Sequence, residues 1–163
     1  MKMLLPEENL QAYIDDTVIT VFDAMLAMEL QPSAAGVTMR TTETQVIGMV
    51  GLAGAVTAVI CLRVPIKTSE RLTRAMTGME PEESLSESDV NDVIGELTNI
   101  IAGKLKSCFR TNGVPCNLSL PTIVRGNHLD LESISGTERH SFTFRQAGEP
   151  LVVEYYSLNP KEK

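Results

Sequence analysis

The sequence has no tryptophan, only two histidines, and three cysteines, an odd number. No two cysteines are spaced as CxxC, so the chain offers too few well-spaced ligands for a Cys/His zinc site. Cys61, Cys108 and Cys116 each lie in apolar sequence, which is typical of buried free thiols. The start "MKMLLPEENL" turns acidic after Pro6 instead of continuing as an apolar signal. Reduced thiols and the lack of an export signal lead us to expect a cytoplasmic protein.

Basic residues are also fewer than acidic ones, 14 against 21, which gives a net charge of −7. This balance argues against a nucleic-acid partner and against an anionic membrane surface. Aromatic residues make up 4% of the chain and hydrophobic residues 43%, which predicts a core of aliphatic side chains. The length suits a single domain over residues 1–163, and we expect short flexible termini.

One long stretch, "VIGMVGLAGAVTAVICL" at 46–62, contains no charge at all. It reaches the lower length limit of a membrane helix, so that a membrane-associated domain is one alternative. Against this, glycines interrupt the stretch, and "GLAG" at its centre is typical of a turn between two short apolar runs. We therefore predict a buried β-hairpin over 46–64 and no membrane insertion.

Helical and alternating patterns divide the remaining chain into elements. They predict helices over 8–30, 69–77 and 87–111, and strands over 34–44, 116–124, 140–146 and 150–157, besides the hairpin. Ser69 is the predicted N-cap of the second helix, with Leu72, Ala75 and Met76 facing inward. Together these elements predict an α/β sandwich, in which a largely antiparallel sheet packs against long helices.

The third helix has the clearest start and end signals. Ser86 and Asp89 form a variant of the capping box before it, and Gly113 in "RTNG" ends it. A helical wheel gathers its apolar residues on one side, namely Val90, Val93, Ile94, Leu97, Ile101, Leu105 and Cys108.

The opposite side of that helix carries a polar stripe of Asp92, Glu96, Asn99 and Gly103. The simplest interpretation is a face in water, which is the usual fate of such residues. However, Gly95 and Gly103 each cost about 1 kcal/mol of helix propensity, which a plain solvated face does not require. Close approach of a partner is one reason for them, and tight packing on another element is the alternative, better suited to Gly95.

The stretch "DVIGELTNIIAGKLKS" (92–107) resembles the signature helix of the CheX, CheC and FliY phosphatases of bacterial chemotaxis. Their pattern is Asp or Ser, three residues, Glu, two residues and Asn, which Asp92, Glu96 and Asn99 match. "VIGMVGLAGAVTAVICLRVP" and "LSLPTIVRG" resemble the hairpin and the late strand of the CheX branch, and the likeness extends over most of 8–157. Thr98 and Lys104 depart from the pattern, which favours smaller or neutral residues there. The first helix, with "DDTVITVFD", lacks a second ExxN, so the chain resembles the one-site CheX type.

The resemblance implies a CheC-like fold and a phosphatase that acts on the aspartyl phosphate of a phosphorylated CheY-like response regulator. It implies that Asn99 orients the attacking water and that Glu96 anchors the receiver domain. Asp92, Gly103 and Lys106 are the expected docking residues. Lys104 and Lys106 could meet the acidic rim of the receiver, and solvation of the helix end is the alternative explanation for both. No cofactor is expected on this chain, whereas Mg²⁺ is expected on the receiver.

Two expectations concern partners. The resemblance implies a homodimer joined through β-structure, and an apolar edge along 140–146 and 150–157 would favour one. A module of the same fold that binds or scaffolds the receiver without hydrolysing its phosphate is the alternative function.

Overall fold

The computed structural model describes residues 7–34, 42–132 and 136–158, with side chains from residue 9 onward. Its helices are α1 (Glu7–Leu26), α2 (Ile66–Thr77) and α3 (Glu87–Thr111). Its strands are β1 (Gln31–Pro32), β2 (Gln45–Gly54), β3 (Thr57–Pro65), β4 (Cys116–Leu118), β5 (Thr122–Gly126), β6 (Thr137–Gln146) and β7 (Glu149–Leu158). They form one sheet in the order β1-β6-β7-β3-β2-β4, and β5 also pairs with β2.

The sheet and the helices form two layers around one aliphatic core. Every strand pair described is antiparallel. Alternate residues of β2, among them Val46, Val50 and Leu52, are buried in the same core as Ile94 and Leu97 of α3. The predicted α/β sandwich with an antiparallel sheet and long helices is therefore confirmed.

The uncharged stretch forms the predicted hairpin. β2 and β3 pair along their whole lengths, from Gln45 opposite Pro65 to Ala53 opposite Thr57. The turn occupies residues 55–56 and follows "GLAG", because Gly51 and Leu52 are still paired, with Val59 and Ala58. Among the helices described, none is both long enough and apolar enough to cross a membrane.

The first predicted elements need correction. α1 ends at Leu26 and not near residue 30, because Ala27 turns to φ 50° and its N–H still donates to Asp23 O. Of the predicted strand 34–44, residues 35–41 lie outside the described residues, while 34 and 42–44 are not in a strand. The short β1 precedes that segment and pairs with β6.

Ser69 is not the N-cap of α2, which begins three residues earlier. Pro65 occupies the cap position without a side-chain hydrogen bond. The Ser69 hydroxyl is buried and donates to the carbonyl of Ile66 at 2.6 Å. Its polar group is thus satisfied inside the helix, which sequence spacing alone does not reveal. Leu72 is buried as predicted, whereas Ala75 is exposed.

α3 has the predicted bounds and the predicted capping box. The amide of Asp89 donates to Ser86 Oγ at 3.1 Å, and the amide of Ser86 donates to Asp89 Oδ2 at 2.9 Å. That hydrogen bond from the Ser86 backbone lowers the pKa of Asp89. Asn112 is the C-cap, and Gly113 follows with φ 75°, which completes a well-defined helix of 25 residues.

The late strands differ from the prediction in one respect. The hairpin of β6 and β7 is confirmed, with Ala147 and Gly148 at positive φ in its two-residue turn. However, β7 lies between β6 and β3 and therefore cannot provide an exposed edge. The predicted strand 116–124 is divided into β4 and β5, which pair with β2 on either side of residues 119–121.

Candidate functional site

The residues singled out from the sequence share one face of α3. At 100° per residue, they fall within an arc of about 80° and extend about 21 Å along the helix axis. They are Asp92, Glu96, Asn99, Gly103 and Lys106. We call this face the ExxN stripe. Its opposite side holds the buried residues Ile94, Leu97 and Ile101, so that the core fixes which way the stripe points.

The polar groups of the ExxN stripe are not engaged within the described part of the chain. Asp92 and Glu96 are exposed, whereas Asn99 is half-buried. Among the described residues, none of these three side chains makes a hydrogen bond or an ion pair. A half-buried carboxamide without such a partner keeps both its donors and its acceptor for a water or another protein.

The two glycines of the helix have different surroundings. A Cβ atom added to Gly103 would meet no atom within 4 Å outside its own helix, so the fold does not require glycine there. A Cβ atom on buried Gly95 would lie 3.6 Å from Pro121 Cβ and 3.8 Å from Ile123 Cδ1. The packing explanation therefore applies to Gly95, as an ordinary contact. Gly103 instead leaves a position on the ExxN stripe without a side chain.

Close packing against β2 determines the position of α3. Thr98 is buried, and its hydroxyl donates to the carbonyl of Ile94 at 2.6 Å. A Cβ atom on Gly48 would lie 2.1 Å from Thr98 Oγ1 and 3.1 Å from Ile94 O. Only glycine at position 48 leaves room for this helix, and Thr98 is next to Asn99 in sequence.

Two further contacts hold the ends of the ExxN stripe. The Tyr13 hydroxyl of α1 donates to the carbonyl of Lys104 at 2.7 Å. Arg125 of β5 donates to Asn91 Oδ1 at 2.9 Å, beside Asp92. The stripe thus lies on a helix that is held by α1 at one end and by β5 at the other. This suits a site that must hold its side chains in a defined geometry.

The residues that support the site could not be identified from the sequence pattern. Thr98 was recognised only as a departure from the family pattern, and Gly48 only as one of the glycines that interrupt the apolar stretch. Their relation could not be read from spacing, because 50 positions separate them. The available signal for their close packing was a glycine inside a predicted strand together with a β-branched residue on the buried face of a helix.

The ExxN stripe lines neither of two concave sites on the described part of the chain. A 270 Å³ apolar cavity is lined by Met49, Val59, Leu131, Tyr156 and their neighbours, all outside α3. A larger cleft of 730 Å³ is lined by α2 and the segments beside it. Among the residues described, no three His, Cys, Asp or Glu side chains gather as a metal site. Such an open helical face suits a macromolecular partner better than a small ligand.

Solved structures of similar fold come from chemotaxis proteins. CheX from Desulfovibrio desulfuricans has a TM-score of 0.77 at 17% identity, over 91% of this chain and 99% of that one. A CheC-like superfamily protein from Shewanella sp. PV-4 has a TM-score of 0.78 at 21% identity, over 96% and 100%. CheX in a complex with CheY, BeF3 and Mg²⁺ from Borrelia burgdorferi has a TM-score of 0.69 at 20% identity, over 91% and 97%.

At these identities the structural likeness shows the fold. No curated protein sequence matches the chain. The family model described as chemotaxis phosphatase CheX matches residues 46–145, a span that includes the β2–β3 hairpin except Gln45 and all of α3. This match covers more than half of the chain, which therefore belongs to the CheX family of chemotaxis phosphatases.

Proposed function

We propose that this protein hydrolyses the aspartyl phosphate of a CheY-like response regulator. The observation that supports this most directly is the complete ExxN stripe on a rigid helix. Glu96 and Asn99 point outward there and have no partner among the described residues. The CheX protein of Borrelia burgdorferi forms a complex with CheY, which supports a receiver domain as the partner.

Asn99 is the proposed catalytic residue. Hydrolysis of an acyl phosphate requires a water molecule placed in line with the bond that breaks, between phosphorus and the aspartyl oxygen. A carboxamide can accept a hydrogen bond from this water and donate one to it. Because it carries no charge, it does not repel the phosphoryl oxygens as a carboxylate would. The half-buried position of Asn99 limits the orientations of its side chain.

Glu96 is the proposed anchor. It lies one turn before Asn99, about 4.5 Å along the helix axis, and is exposed. A carboxylate there can pair with the active-site lysine of a receiver and so fix the register of docking. Asp92 and Lys106, at the two ends of the ExxN stripe, would contact the rim of the receiver, and Gly103 would let its surface come close.

The divalent cation of the reaction is assigned to the receiver. We propose that this chain needs no cofactor of its own and that Mg²⁺ arrives already bound beside the receiver's phosphoaspartate. The ion and the receiver lysine would neutralise the charge that develops on the phosphoryl oxygens. The contribution of this chain is then limited to the water and to exclusion of bulk solvent.

The test is the rate of phosphate loss from a phosphorylated CheY-type receiver of the same organism, with and without the wild-type chain. We expect loss to accelerate with the concentration of the chain and to saturate. Binding of the receiver without any acceleration would overturn the proposal. The alternative, a module that binds or scaffolds the receiver, would then take its place.

We further propose that the chain acts as a single cytoplasmic domain within a homodimer. Since β7 is interior, β6 is the one of the two predicted strands left for a dimer through β-structure; among the described residues, β1 pairs with it at Phe144 and Arg145, and the amide of Ser33 donates to Thr143 O. An uncovered strand edge tends to pair with another strand. Light scattering at high concentration tests this directly, and a monomeric mass would contradict it.

A further inference from the structure

The connection between β4 and β5 is a β-bulge beside the ExxN stripe. Leu118 pairs with Leu52 of β2, and Thr122 pairs with Met49. Three residues, Ser119 to Pro121, therefore lie opposite the two residues Val50 and Gly51. A bulge of this kind bends its strand and redirects a side chain out of the regular alternation.

Ser119 binds the bulge to β2 through two groups, its backbone N–H and its hydroxyl oxygen. Its amide donates to the carbonyl of Gly51 at 2.9 Å, and its Oγ accepts from the amide of Gly51 at 2.8 Å. The same hydroxyl donates to the carbonyl of Leu120 at 3.0 Å. Pro121, which has no N–H, leaves no donor unsatisfied at the end of the bulge. Leu120 is thus presented on a fixed backbone.

The bulge borders the ExxN stripe on the side of Asn99. Pro121 Cβ lies 3.6 Å from the position of a Cβ on Gly95. On the helix, Asn99 is rotated only about 40° from Gly95 and lies one turn further on, whereas Glu96 is rotated about 100°. β5 runs opposite to α3, since Ile123 lies beside Gly95 and Arg125 donates to Asn91. Leu120, which precedes Pro121, therefore lies toward the turn of Asn99.

Leu120 is the most exposed of the large hydrophobic residues described. Its exposed fraction is 88%, against 41% for Met25 and 43% for Leu158. Single exposed leucines are common and need no explanation by themselves. Here the exposure coincides with a bulge held by a side-chain hydrogen bond and with a place beside Gly95, one turn before the proposed catalytic residue.

We propose that the Ser119–Pro121 bulge is a second docking element for the receiver domain, with Leu120 as an apolar contact. This inference rests on the proposed function, because it assigns the bulge to the same partner as the ExxN stripe. A receiver centred on Glu96 and Asn99 would cover the adjoining bulge, since a specific interface buries about 800 Å² on each partner. Leu120 would add affinity for the receiver without touching the reacting atoms.

The experiment compares Leu120→Ala and Leu120→Asp with the wild-type chain. The probe is a CheY-type receiver of the same organism, loaded with Mg²⁺ and beryllofluoride. We expect Kd to rise about tenfold for Leu120→Ala, as for loss of one well-buried apolar contact, and further for Leu120→Asp. The single-turnover rate at saturating phosphorylated receiver should stay within about twofold of wild type. Met25→Ala and Leu158→Ala are the matched controls and should leave Kd unchanged.

The outcomes separate this inference from the proposed function. A Kd for Leu120→Asp within about twofold of wild type, with Glu96→Lys still impaired, overturns the inference and leaves the proposed function intact. A change in oligomeric mass without a change in Kd also overturns it, because the bulge would then face a second copy of the chain. A wild-type chain that accelerates no phosphate loss overturns the proposed function instead. Thermal unfolding of each variant checks that it is folded.

Discussion

Thr98 of α3 occupies the space that a side chain at Gly48 of β2 would need. The two positions are so close that a Cβ on Gly48 would lie 2.1 Å from Thr98 Oγ1, well inside van der Waals contact. The helix that presents Glu96 and Asn99 can therefore approach the sheet only where β2 lacks a side chain. This contact links the sequence of a buried strand to the position of the proposed catalytic helix.

We predict that Gly48→Ala destabilises the protein by about 1–3 kcal/mol, the usual cost of overpacking a core. Thr98→Ala in the same chain should restore most of the loss, because it removes the hydroxyl that the new methyl group meets. Thr98→Val is the matched control, since it keeps an atom at that place and should not restore stability. Urea denaturation measures all four chains, and equal stability of Gly48→Ala and wild type would contradict the explanation.

Gly103 should be replaceable without harm to the fold. Because no atom outside its helix lies within 4 Å of a Cβ there, Gly103→Ala should raise stability by about 1 kcal/mol through helix propensity. Gly103→Gln should fold equally well but bind the receiver at least about tenfold more weakly, because its side chain would stand on the docking surface. Thr111→Gln, exposed and off the ExxN stripe, is the control. Unchanged receiver affinity in Gly103→Gln would remove Gly103 from the interface.

Stability should decline in alkaline solution. Burial, followed by the nearby Glu154 carboxylate, raises the pKa of the Cys61 thiol to about 12 and that of Tyr156 to about 12. Both groups stay neutral in the folded protein while the unfolded chain releases their protons at lower pH. The stability that these two neutral groups contribute to the folded protein is thus fully present below about pH 9 and is lost as the pH rises toward 12. Denaturation midpoints between pH 8 and 11 should fall less steeply for Cys61→Ala than for wild type, and equal slopes would contradict the assignment.

Much of the fold was predictable because it follows from local signals. The capping box of Ser86 and Asp89, the glycine after Asn112 and the "AGE" turn each act within a few residues. The orientation of the ExxN stripe was likewise predictable, since the helical period of 3.6 residues places its polar and apolar residues on opposite sides.

What could not be predicted depends on contacts between distant positions. The bulge at Ser119 follows from its pairing with Gly51, and the buried Ser69 from the packing of α2. Glu154, on an apolar-looking strand, is only 1% exposed because Arg63 and Arg139 both pair with it. Sequence periodicity does not contain this information, because buried charges depend on partners from other strands.

Glu96 should matter for docking more than for the chemical step. Glu96→Ala removes the proposed ion pair with the receiver lysine, so that receiver affinity and observed turnover should both fall. Glu96→Lys should be worse, because it places like charges against each other. Affinity for a receiver activated with beryllofluoride is the measurement. Wild-type affinity in Glu96→Lys would rule out the anchoring role.

The most direct test of the account is the single-turnover hydrolysis rate of Asn99→Ala at saturating phosphorylated receiver, with receiver affinity measured separately. If Asn99 orients the attacking water, the affinity should stay within about twofold of wild type. The rate should fall about 100-fold, equivalent to roughly 2.7 kcal/mol of lost transition-state stabilisation. Hydrolysis by Asn99→Ala at the wild-type rate under saturation would contradict the central claim, that Asn99 is the catalytic residue.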